Sequence, residues 1–160
     1  MLEKLRIGFG EDAHALSTGR SLVIGNVVIE EAEQGALAHS DGDVLLHALS
    51  DALLSAFAMG DIGHYFPPSN PAFKDMDSSE ILVKLLEQIH QDHETFDLHN
   101  VAAVVTLDKP KLGKYRDQIR ARVAELLGLE PARMGLTFKT SEGLASGHIQ
   151  ARVTLLLSVS

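Results

Sequence analysis

Cysteine and tryptophan are absent from this 160-residue chain. Without cysteine there is neither a disulfide framework nor a thiolate metal site, so any metal must be held by His, Asp or Glu. Aromatics reach only 5%, which leaves aliphatic side chains to fill the core. No run of about 18 apolar residues reads as a membrane span, and the N-terminus lacks a signal-peptide pattern. A soluble cytoplasmic protein is the expectation. Cations are scarce too: the net charge of −8 argues against general nucleic-acid binding. The chain carries no Walker loop, no Gly-x-Gly-x-x-Gly and no Gly-x-Ser-x-Gly, so nothing signals a nucleoside triphosphate site, a dinucleotide site or a hydrolase elbow.

What is present is ordinary for a globular protein, with 45% hydrophobic and 22% charged residues. One domain spanning residues 1–160 is expected at this length. Leu5 to Phe9 reads as a short strand, and Ser21 to Ile29 as a second strand or hairpin. Ser40 and Asp43 have capping-box spacing and predict a helix from there to about Met59, stopped by Gly60. The stretch 61–74, with Gly63, Pro67, Pro68 and Pro71, reads as a long loop. A second helix opens at Asp77 and runs to about His90. Val101 to Leu107 is apolar almost without interruption and predicts a fully buried strand. A third helix covers about Lys114 to Leu127, and strands follow at Met134–Thr140 and Ile149–Val159. This order predicts an α/β (α+β) domain with a mixed sheet covered by helices.

The chemistry concentrates in Asp12-Ala13-His14 and in His47. Residues two apart on a strand point the same way, so Asp12 and His14 face one partner. His47 lies in an apolar helix, where an unpaired ring is costly to bury. Two readings are open: one metal site built by all three, or a surface pair plus a core histidine bonded to Asp43 or Asp51. In the metal reading, one of those two aspartates would orient the ring. Lys109, Lys111 and Lys114 cluster around Pro110, and Lys139-Thr140-Ser141-Glu142 ends a strand, where α/β proteins often bind ligands.

These blocks in this order resemble the 2-C-methyl-D-erythritol 2,4-cyclodiphosphate synthase family over nearly the whole chain. The motifs are Ala38-His39-Ser40-Asp41-Gly42-Asp43-Val44 with His47, Gly60-Asp61-Ile62-Gly63 with Phe66-Pro67, Lys109-Pro110-Lys111, and Lys139-Thr140-Ser141-Glu142. The resemblance implies a ferredoxin-like fold, a homotrimer with shared active sites, and a small cytidine diphosphate ester as substrate. It implies Zn²⁺ at Asp12, His14 and His47, and Mg²⁺ or Mn²⁺ with Glu142 and the substrate phosphates. His39 and Thr140 would steady the transition state. Substrate contacts would fall to Ser40, to Asp61, Ile62, Gly63 and Phe66, to the turn Leu107, Asp108, Lys109, Pro110, Lys111, Leu112, Gly113, and to Lys139 and Ser141. The product would be a cyclic diphosphate plus CMP. A metal-assisted nucleotide hydrolase and a trimeric binding module are the alternatives. The chain departs from the family pattern at a short Gly143–His148 segment, at Pro68 and Asn70, and at Glu11 beside Asp12.

Overall fold

A computed structural model describes residues 4–93 and 95–160. Strand β1, Leu5–Thr18, is 14 residues long and extends far beyond the predicted Leu5–Phe9. Its second half has little β-branched content. It is extended because β7, His148–Val159, pairs with it from Leu5↔Ser158 to Ala15↔His148. Ladder pairing overrides weak local propensity here.

The predicted hairpin is present as β2, Val23–Ile24, and β3, Val27–Val28, which form a separate two-stranded sheet. Strands β4, Gln34–Ala36, β5, Phe96–Leu107, and β6, Met134–Lys139, complete the main sheet in the order β4-β1-β7-β5-β6. Among the described strands only β5 and β6 pair in parallel, and helix α4, Arg116–Leu127, makes the crossover such a pair requires. Gly128 ends α4 in the left-handed region at φ 63°. The mixed sheet and its helices bear out the α+β expectation.

Helix α1, Val44–Ala56, buries 11 of its 13 residues between the sheet and α3, Ser78–Asp92. A helix that is apolar nearly all round belongs in such a position. Two glycines let it lie directly on β1. A Cβ on Gly8 would stand 2.0 Å from the Ala52 carbonyl oxygen, and one on Gly10 2.1 Å from that of Ala48. Gly8, Gly10, Asp12 and His14 share the face of β1 that meets α1, so this close approach brings His47 over Asp12 and His14.

Further expectations need correction. The N-cap of α1 is Asp43 rather than Ser40, because its carboxylate accepts from the Leu46 N–H while the Ser40 hydroxyl faces His47. The helix ends at Ala56 with Phe57 as cap, ahead of Met59 and Gly60. Strand β5 is not buried on both faces: Val101, Ala103, Val105 and Leu107 are buried while Ala102 and Val104 are exposed. The loop at 61–74 also contains a one-turn helix, α2, Ile62–Tyr65, and a 3₁₀ turn at Pro71–Phe73.

Asp43 does more than cap α1. Its fully buried carboxylate accepts from the Gly25 and Asn26 N–H groups at 2.9 and 2.7 Å, fixing the β2–β3 turn to the helix start. Burial pushes its pKa from 3.8 up to about 6, against the backbone N–H groups that pull it down. The folded state therefore holds a proton that the unfolded chain has released, and stability falls as pH rises from about 4 to about 6. Denaturant unfolding of the metal-free protein across this window should show the slope, and Asp43→Asn should flatten it.

Candidate metal centre and active site

Asp12, His14 and His47 each offer one donor atom, and the three atoms lie within 4.8 Å of one another. Asp12 Oδ2 is 2.7 Å from His14 Nε2 and 3.0 Å from His47 Nδ1. The two imidazoles meet edge to face, with centroids 5.8 Å apart. Burial raises the Asp12 pKa, but the two imidazoles beside it outweigh this and hold the carboxyl down to about 2. It is thus an anion throughout the physiological range. Burial disfavours a charged His47, yet Asp12 more than offsets this and raises the ring's pKa.

The donors fit a divalent cation. Among the described residues, His14 Nε2 is buried without a satisfying hydrogen-bond partner, its neighbour being the Asp12 carboxylate oxygen of the ion pair at 2.7 Å. A buried polar atom left in that state costs about 1–3 kcal/mol, and a cation held between the donors removes the cost. Two imidazole nitrogens and one carboxylate oxygen suit zinc, and three protein ligands leave the fourth position open, as in catalytic sites.

The cavity beside the donors has a volume of about 180 Å³. His39, Ser40, Ile62, Gly63 and Phe66 line it together with Asp12, His14 and His47. His39 Nε2 is also buried and unpartnered. Asp51 accepts from the Ile62 N–H at 2.8 Å and so anchors the start of α2 beside the cavity. Asp61 caps α2 by accepting from the His64 N–H.

A second cavity, about 210 Å³, gathers Leu107, Asp108, Pro110, Lys111, Leu112, Gly113, Lys139 and Thr140. Asp108 accepts from the Ser141 N–H at 2.6 Å and its hydroxyl at 2.9 Å, which ties the two turns together and lowers the Asp108 pKa. Lys109 instead lines a separate cavity with Glu31, Glu33 and Gln34. Glu142, exposed and at φ 56°, lines neither of the first two. Glu142 apart, the predicted residues fall into two groups, one around the metal donors and one around the 107–113 turn.

The expected partners of His47 are corrected. Neither Asp43 nor Asp51 bonds its ring, since their carboxylates are engaged with backbone N–H groups. Nε2 lies 2.8 Å from Ser78 Oγ and 3.1 Å from Ser40 Oγ. Ser78 was missed because it belongs to another helix, 31 residues away, and no local pattern signals that contact. Glu11, left without a role by the sequence, pairs with Arg152 across the β1–β7 ladder at 3.4 Å, an exposed contact of little energetic weight.

Comparison with known proteins agrees with this geometry. A 2-C-methyl-D-erythritol 2,4-cyclodiphosphate synthase of Deinococcus radiodurans is 58% identical over 152 residues, covering 95% of this chain and 93% of that protein. The enzyme of the same name from Thermus thermophilus is 48% identical over 96% of this chain and 99% of its own length. A solved structure of a 2C-methyl-D-erythritol-2,4-cyclodiphosphate synthase in a CDP-bound form superposes with a TM-score of 0.89 at 45% identity, covering 96% of this chain and all of that one. The model of the YgbB family matches residues 5–158, and with these relatives it establishes that the chain belongs to that family.

Proposed function

We propose that this chain is a 2-C-methyl-D-erythritol 2,4-cyclodiphosphate synthase, a phosphorus–oxygen lyase of the non-mevalonate isoprenoid pathway. It converts 4-diphosphocytidyl-2-C-methyl-D-erythritol 2-phosphate to the 2,4-cyclodiphosphate and CMP. An oxygen of the 2-phosphate attacks the β-phosphorus, the bond from that phosphorus to the α–β bridging oxygen breaks, and CMP leaves with the electron pair. The supporting observation is the three-donor group with an orphaned His14 nitrogen at the wall of a cavity.

Asp12, His14 and His47 would hold a zinc ion and Glu142 would help hold a magnesium or manganese ion, and these cations would supply charge neutralisation on the diphosphate. The protein's own part is positioning, which is most of what phosphoryl transfer needs. His39, with a free ring nitrogen in the cavity, and Thr140 steady charge on the transferring phosphoryl group. Ser40, Ile62, Gly63 and Phe66 shape the cavity around the erythritol and ribose portions, with Asp61 at its edge. The turn from Leu107 to Gly113, with Lys139 and Ser141, encloses the cytidine.

The same reading makes the enzyme a homotrimer with sites shared between subunits. Asp12, Ala151, Val105 and Phe138 lie in register across four adjacent strands. Three strand spacings separate the ends of that row by about 14 Å. Asp12 and the Thr140–Glu142 turn of one chain are thus too far apart to hold the same diphosphate. A neighbouring copy brings them together. Leu5, Ile7, Phe9 and Val104 are exposed on the sheet face away from α1, an apolar surface suited to burial between copies. Ferredoxin-like layering, one domain over residues 1–160 and a cytoplasmic location complete the proposal. No described helix is long and apolar enough to cross a membrane, and the net charge of −8 disfavours nucleic acid as a partner.

Phosphorus NMR of the purified protein with substrate, Zn²⁺ and Mg²⁺ should show the cyclic diphosphate appearing in step with CMP. Prior removal of metal by a chelator should abolish both, and Zn²⁺ with Mg²⁺ should restore them. Undiminished turnover after complete metal removal would overturn the reading.

A further inference from the structure

We propose that Ser78 and Asp41 form a positioning relay that fixes the tautomer of His47 and presents its Nδ1 lone pair to the metal. The inference rests on the metal reading above and extends it to two residues outside the donor group.

The direction of the hydrogen bonds carries the argument. The Asp41 carboxylate can only accept, and it takes the hydroxyl proton of Ser78 as well as the Ser78 N–H at 2.9 Å. A serine hydroxyl has one proton, so with that proton on Asp41 its oxygen is left as an acceptor toward His47 Nε2, 2.8 Å away. Nε2 must then carry the ring hydrogen. Nδ1 is then the nitrogen left for a cation: it can only donate to the Asp12 carboxylate 3.0 Å away, and a cation held by the three donors would take the place of that proton and meet the Nδ1 lone pair, with the Nε2 hydrogen retained. Ser40 Oγ, 3.1 Å from the same Nε2, accepts from the Gly42 N–H and leaves this arrangement intact.

The relay is built into the core. Ser78 is completely buried at the first turn of α3, and His47 lies on α1, so the contact fixes the ring between two packed helices. Asp41 also accepts from the Asp43 N–H at 3.0 Å, which holds its carboxylate in place just ahead of α1. A purely structural tie between α3 and the 38–43 loop would use the Ser78 N–H bond to Asp41 and would not need the hydroxyl to face His47.

Chelator competition on purified protein loaded with Zn²⁺, and the visible spectrum of the Co²⁺ form, separate these roles. Ser78→Ala keeps the backbone bond to Asp41 and should weaken Zn²⁺ binding about 10- to 100-fold, the usual effect of losing a group that orients a ligand. Asp41→Asn should weaken it in the same sense. The double variant should be no worse than the weaker-binding single one, because both act through one chain of bonds. Long-range ¹H–¹⁵N NMR of the Zn²⁺-loaded wild type reads the tautomer without mutation, with Nε2 protonated and Nδ1 ligating. Ligation through Nε2, or Zn²⁺ affinity unchanged in Ser78→Ala, would overturn the relay alone. A wild type that binds no Zn²⁺ would overturn the metal reading and the relay with it.

Discussion

Replacing His47 by alanine should abolish Zn²⁺ binding at the three-donor group and lower turnover at least about a thousandfold, while the protein remains folded. Two protein ligands remain, Asp12 and His14, and a catalytic zinc site is built on three. Loss of the charge stabilisation a bound cation supplies is worth several kcal/mol of barrier. About 4 kcal/mol corresponds to about 10³ in rate. The stability penalty is smaller, about 1–3 kcal/mol, from Ser78 and Asp12 losing their partner. The shared-site proposal adds a sharper outcome. Glu142→Ala should also be inactive, yet unfolding and refolding the two variants together should restore part of the activity. Mixed trimers then contain sites with an intact His47 from one chain and an intact Glu142 from another. No recovery on mixing would place both residues in the same chain's site.

The second large effect lies at Gly10, which touches no ligand. A Cβ there would stand 2.1 Å from the Ala48 carbonyl oxygen and 2.5 Å from the Ala52 nitrogen, both backbone atoms of α1. Neither can turn aside, so Gly10→Ala must lift the helix by about 1 Å or more. Overpacking of this kind costs about 1–3 kcal/mol, and more where backbone meets backbone. The helix carries His47 one residue before Ala48, so the donor moves with it. A displacement of about 1 Å at a catalytic group can lower the rate about 100-fold. Thermal unfolding and Zn²⁺ titration of Gly10→Ala should thus both deteriorate. Gly8→Ala meets Ala52 at 2.0 Å, farther along the helix from His47, and should destabilise comparably with a smaller loss of metal affinity. An unchanged melting temperature in Gly10→Ala would mean that α1 does not need its close seat on β1.

The donor group could be read from sequence because its logic is local. Asp-x-His on a strand places both side chains on one face, and a histidine among leucines and alanines calls for a partner. The helices were readable in the same way, from caps and apolar spacing. What escaped was set by distance along the chain. Strand β1 runs on past Phe9 because β7, from the far end of the chain, pairs with it as far as Ala15 and β4 pairs with it from Leu16 to Thr18. Ser40 and Asp43 are both capping residues, and which one caps α1 depends on His47 drawing the Ser40 hydroxyl toward its ring. Ser78 read as the opening of a helix, which it is, and nothing near it announces the histidine it holds. The apolar run of β5 promised burial on both faces, but in the single chain one face is open. That open face is consistent with the same sequence signal if a second copy covers it.

The most direct test of the proposed chemistry is the fate of solvent oxygen. The reaction is run in ¹⁸O-water with Zn²⁺ and Mg²⁺, and the products are weighed by mass spectrometry. Attack by the substrate's own 2-phosphate consumes no water, so the cyclase reading predicts an unlabelled cyclic diphosphate and unlabelled CMP in equal amounts. A linear phosphate product carrying ¹⁸O would show that water is the nucleophile and would contradict it.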